Sequence, residues 1–326
     1  MFSFPKTRML REAEHARTLP LPTGRLIGLF FLVFGIAMMG ECLILLPAQI
    51  FVLLTSSQFQ SIMGDASLSV GEQISAVLSA DIPQPAWMMA LQLFATATMT
   101  ASCLFFCLKV EKRNLVSMGF VKKNAVLEYL SGLIIGLAML SAAVFFCIAT
   151  GQLSMTEAAE PKSWGMIVLF FAAYLIQGLG EELLCRSFMM VSLSRGCKPW
   201  VCIFINSLLF AALHLFNKGI SPVALVNLTL FGVFASAYTL RRGSIWGIAA
   251  IHSMWNFTQG NVFGISVSGM SQSPSVFVTG SNGGMALING GEFGLEGGLG
   301  VTLVLAVSIA IILIVPTKAR EIAERK

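Results

Sequence analysis

A chain of 326 residues with only 11% charged and 56% hydrophobic side chains is not an ordinary soluble domain, in which about a quarter of residues are charged. A water-facing fold of this length needs a charged shell to hide so much apolar surface, and the mean hydropathy of +0.81 points to lipid as the surrounding solvent. The net charge of +5 is read as a topology signal, and no nucleic-acid partner is expected.

Lys6, Arg8, Arg11, Arg17 and Arg25 precede an apolar run over 26–54. That run is too long for a signal-peptide core, and no A-x-A cleavage pattern follows, so it reads as a retained membrane helix. A polar loop over 56–85 comes next. Crossing a bilayer as a helix takes about 20 apolar residues, and runs over 86–108, 128–150, 164–193, 200–216, 222–240, 245–264 and 299–315 meet or approach that length. Between the last two lies a Gly/Ser-rich loop, 265–297. Its apolar residues, such as Val276, Phe277, Leu287 and Phe293, favour a structured cap over a disordered linker.

Following the chain from a cytoplasmic N-terminus through eight crossings puts all but Lys162 and Lys218 of the 21 lysines and arginines on or near the inner side. The inner groups are Lys6 to Arg25, Lys109 to Lys123, Arg195 with Lys198, Arg241 with Arg242, and Lys318 to Lys326. The outer loops 56–85 and 265–297 carry Asp65, Glu72, Asp81, Glu292 and Glu296 and no basic residue. This is the positive-inside pattern. The expected fold is all-α: one polytopic membrane domain over 1–326, about eight transmembrane helices, both termini cytoplasmic. Trp87, Trp164, Trp200 and Trp246 fall near helix ends as interfacial anchors do; Trp255 falls inside a span. The seven cysteines lie mostly in apolar runs without metal or redox spacing and read as packing residues.

Ionisable groups within spans are costly and raise a functional hypothesis. Only Glu41, Glu181 and Glu182 among the acids lie well within spans, and His214 and His252 are the histidines inside the membrane. Glu182 and Arg186 are spaced i, i+4 and can meet as an ion pair. Glu181 is turned about 100° away and lacks that partner, so two adjacent carboxylates meet different surroundings, which suits one of them to base chemistry. His252 and Asn256 share a helix face and can direct two donors to one point, as an oxyanion hole requires. Measured from the basic ring bounding each helix, Glu181, His214, His252 and Asn256 lie at depths of about 15–24 Å, one layer built from three helices. The structural alternatives are a buried salt bridge and interhelical polar contacts.

The stretches Glu181-Glu182-x-x-x-Arg186, Phe210-x-x-x-His214 and His252-x-x-x-Asn256 resemble, in order and spacing, the motifs of the CAAX protease and bacteriocin-processing family of intramembrane proteases. That family includes the type II CAAX prenyl endopeptidases. The resemblance covers about residues 163–260 and implies a catalytic core there. It implies an intramembrane glutamic endopeptidase of the plasma membrane acting on a membrane-associated, prenylated or leader-bearing substrate. Glu181 and His214 would activate water, His252 and Asn256 would stabilise the oxyanion, and Glu182 and Arg186 would position the site. No cofactor is expected; a zinc-dependent variant would draw on Glu181, His214 and His252, though no HExxH is present. The alternatives are a catalytically silent membrane scaffold or immunity protein, and a proton-coupled transporter that uses the same polar residues as a relay.

Overall fold

The computed structural model describes residues 4, 6–16, 18–80, 82–158, 162–270, 274–283 and 285–315. The basic cluster 318–326, Arg17 and Asp81 lie outside the described residues. The helices are α1 (Arg8–Glu14), α2 (Thr23–Thr55), α3 (Ser57–Met63), α4 (Val70–Ser79), α5 (Ala86–Val110), α6 (Ala125–Ala149), α7 (Trp164–Ser194), α8 (Pro199–Ala212), α9 (Pro222–Arg242), α10 (Trp246–Phe257) and α11 (Leu299–Ile314). A π-helical turn, Thr258–Val262, prolongs α10.

Eight of these rods occupy the eight apolar runs. By length and composition, α2, α5, α6, α7 and α9 are long and apolar enough to cross a membrane. The rods α8, α10 and α11 are shorter; the 14 residues of α8 rise only about 21 Å. The predicted helix over 200–216 ends at Ala212, because the chain turns at 213–219 to start the adjacent α9 at Pro222. Gly219 takes the left-handed backbone (φ +73°) that this turn needs. His214 therefore sits just beyond the end of α8.

Two features depart from a purely helical bundle. The loop over 56–85 contains α3 and α4, and α4 starts on a capping box between Ser69 and Glu72. The segment after α6 and the Gly/Ser-rich loop pair as an antiparallel ribbon, β1 (Leu153–Glu157) with β2 (Phe277–Ser281). The Gly/Ser-rich loop is thus an ordered cap over its described residues.

The connections gather at two ends, as alternating crossings demand. At one end β1 pairs with β2, Asn217 Nδ2 donates to the Ser268 carbonyl at 2.9 Å, and Lys218 pairs with Glu292 at 2.8 Å. At the other, Thr18 donates to the Glu111 carbonyl at 2.9 Å, the Ile245 amide donates to the Gly119 carbonyl at 2.9 Å, and Arg195 reaches the Thr18 carbonyl. Arg113, buried there, is held by Glu111 at 3.0 Å and the carbonyls of Ser117 and Ser187, both at 2.7 Å.

Close helix approach relies on small residues, as in membrane bundles generally. A Cβ added at Gly132 or Gly136 of α6 would lie 2.4 Å from the Gly247 or Ile251 carbonyl oxygen on or beside α10. One added at Gly178 of α7 would lie 2.8 Å from the backbone nitrogen of Ser253. Helix α10 is thus clamped between α6 and α7 at the turn that carries His252.

Candidate active site

Glu181 and Glu182 end the α-helical part of α7, and the π-helical stretch Leu183–Met190 follows directly. Such π-bulges recur at functional sites. Glu182 Oε1 accepts from Arg186 Nη1 at 3.1 Å, and both side chains are wholly buried. The predicted ion pair is present. The same carboxylate oxygen lies 2.8 Å from His252 Nδ1. Glu182 thereby fixes the orientation of the imidazole from behind, much as carboxylates orient catalytic histidines elsewhere.

Glu181 is not left bare, as its lack of a basic partner suggested. Its Oε1 accepts from Gln177 Nε2, one helical turn earlier. The Gln177 Oε1 in turn accepts from Asn256 Nδ2 at 3.0 Å. Gln177 therefore links α7 to α10 and is a functional-site candidate that the motif reading missed. The available signal was its i, i+4 spacing from Glu181 within an apolar helix. The second oxygen, Glu181 Oε2, has no hydrogen-bond partner among the described residues and lies 3.7 Å from His252 Nε2.

Phe210 accounts for the spacing of the second motif. Its carbonyl lies 2.9 Å from His214 Nδ1. A carbonyl only accepts, so Nδ1 carries the proton and the neutral ring keeps its lone pair on Nε2. The Phe210 ring lies 4.8 Å from the Arg186 guanidinium carbon and 5.0 Å from the His214 ring centre. It supports the cation that supports Glu182. His214 and Glu181 share a cavity without a hydrogen bond between them.

That cavity has a volume of about 300 Å³, and Glu181, His214, His252 and Asn256 all line it. Glu182 and Arg186 stand behind its wall. The cap closes one side with Val267, Ser268, Met270 and Glu296, and Trp255, anomalous as an interfacial anchor, forms part of the wall. Phe231 packs edge-on against His252 at 5.0 Å between ring centres. Glu41 of α2, left without a role by the sequence, also faces the cavity.

Glu181, His214 and His252, the three candidate zinc donors, line one cavity but do not form a recognised ligand cluster. Among the described residues, no group of three or more His, Cys, Asp or Glu side chains is arranged to hold a metal ion.

Fold and cavity together define a multi-pass α-helical membrane protein with a largely apolar chamber among its helices that the motif side chains reach. Residues 163–258 match the family model described as Rce1-like, type II CAAX prenyl endopeptidase Rce1-like. The matched stretch includes all seven motif residues, and it supports, at family level, a CAAX-type intramembrane protease. No curated protein matches the chain.

Proposed function

We propose that this protein is an intramembrane endopeptidase that hydrolyses a peptide bond of a membrane-associated substrate with a water activated by Glu181 and His214. The observation that carries this reading is the shared cavity. Three costly polar groups and an asparagine, from α7, α10 and the turn after α8, meet around one space of about 300 Å³.

The chemistry follows from the free positions. Glu181 Oε2 and His214 Nε2 are unoccupied acceptors on the cavity wall, and a water between them loses a proton to one as its oxygen attacks the scissile carbonyl. The carbonyl oxygen becomes an oxyanion. His252 Nε2 and the second N–H of Asn256, one turn apart on α10, are its donors. With Nδ1 tied to Glu182, Nε2 donates when the ring carries both protons, and Glu182 is then its counter-ion. Collapse breaks the C–N bond, and the leaving amine takes up the proton first removed from water. Glu182 and Arg186 touch no reacting atom and act as positioning residues. The substrate lies in or on the bilayer, and the plasma membrane is the proposed site of action.

The test is cleavage of membrane-anchored peptides by purified protein in proteoliposomes. Glu181→Ala and His214→Ala should each abolish turnover while elution volume and helical circular dichroism stay as in wild type. Cleavage retained by both variants overturns the assignment. Proton-coupled uptake without proteolysis would instead favour a transporter.

A further inference from the structure

Two carboxylates outside the motifs also reach the cavity, Glu41 from α2 and Glu296 from the cap. Their situations differ. Glu296 Oε2 accepts from the Ser268 amide at 2.8 Å, the Ser268 hydroxyl at 2.9 Å and Gln259 Nε2 at 3.4 Å. Its needs are met by the cap and by Gln259 of the turn that prolongs α10. Glu41 is only 8% exposed, and its Oε1 is sealed from bulk solvent with no hydrogen-bond partner among the described residues.

A buried carboxylate oxygen without a donor is expensive, and such groups within membrane spans ordinarily serve a partner. Among the described residues the chamber supplies none to Glu41 Oε1. With Glu181 its walls hold three carboxylates and, among the described residues, no lysine or arginine. Arg186 is committed to Glu182 behind the wall. The chamber is therefore an acidic space in which Glu41 Oε1 is an acceptor that the hydrolytic residues leave unused.

We propose that Glu41 is a specificity-determining residue that accepts a hydrogen bond from a lysine or arginine side chain carried by the substrate close to the scissile bond. This deepens the hydrolytic reading and rests on it for the ligand being a peptide. Like charges brought together in such a site repel, so a free C-terminal carboxylate placed at Glu41 is disfavoured.

The experiment uses the full chain in neutral phosphatidylcholine vesicles, so that anionic lipid does not sequester basic peptides. Otherwise identical anchored peptides carry lysine, glutamine or glutamate in turn at each position flanking the cleaved bond. Wild type should show, at one position, a KM at least ~10-fold lower for the lysine peptide than for the glutamine peptide, equivalent to one hydrogen-bonded charge. Glu41→Gln should collapse that ratio, Glu41→Asp should keep part of it, and Glu41→Lys should shift preference to the glutamate peptide. An unchanged lysine-to-glutamine ratio in Glu41→Gln overturns the proposal. So does a wild type without any preference for lysine, which needs no variant to fold.

Binding of the same labelled peptides, followed by fluorescence anisotropy, separates the two readings. A lysine preference that depends on Glu41, with no cleavage of any peptide, sinks the hydrolytic reading and keeps this one. Cleavage with no such dependence does the reverse.

Discussion

Gln177 holds its neighbours from both ends of one amide, giving an N–H to Glu181 and taking one from Asn256. Replacing it with leucine keeps most of the volume and removes both bonds. A hydrogen bond to a charged group contributes about 1.5–3 kcal/mol, and each ~1.4 kcal/mol on a barrier is tenfold in rate. Gln177→Leu should therefore lower kcat by about 10–100-fold, with a much smaller change in KM, in peptide-cleavage kinetics. A fall in KM affinity alone would place Gln177 in substrate binding instead. The residue shows what was legible and what was not. Glu182 and Arg186 declared themselves through charge and i, i+4 spacing, because few other arrangements satisfy two buried charges. An amide is uncharged and tolerable in many places, so Gln177 stood out only once Glu181 beside it was known. Glu41 was legible as costly but not as cavity-facing, since a single helix does not disclose which of its sides meets its neighbours.

At the level of elements, helix existence and order were readable from apolar runs, while ends and partners were less so. The eight runs became eight rods, yet α8 stops at Ala212 because the next helix must begin close by. The ribbon was not foreseen because β1 and β2 belong to segments far apart in the chain, and neither pattern is distinctive until the two are paired. The glycines carry consequences that periodicity did not reveal. Gly136 lets α6 touch the α10 backbone at the level of Ile251, one residue before His252. Gly136→Leu forces the helices apart, with an overpacking cost of about 1–3 kcal/mol. A lower thermal unfolding temperature in detergent, together with reduced cleavage, is the expected result. Unaltered unfolding would mean that α6 and α10 do not meet there.

For the whole molecule, the charge alternation anticipated eight crossings, and the contacts between connecting segments sort into two opposite ends accordingly. Which end faces the cytoplasm follows from the basic residues alone. Membrane-impermeant maleimide should label Gly71→Cys in intact cells, whereas Lys122→Cys should be labelled only after permeabilisation. The reverse pattern would invert the orientation and leave the cavity chemistry in place. The chamber itself became visible only in three dimensions. Depth along each helix was computable from sequence, but facing was not, and it is the facing of α2, α7, α9 and α10 that encloses the polar groups.

The ribbon joining β1 to β2 has one more effect. It stitches the loop that leads into α7 to the cap that leads into α11, so the ceiling of the chamber is fastened on two sides. Glu296 pins a further corner through Ser268. A ceiling tied down in this way is a poor doorway for a polypeptide, and an incoming strand would pass more readily between the rods, from the lipid or from the opposite end. Such a side door would let a client stay anchored in the bilayer while it is cut.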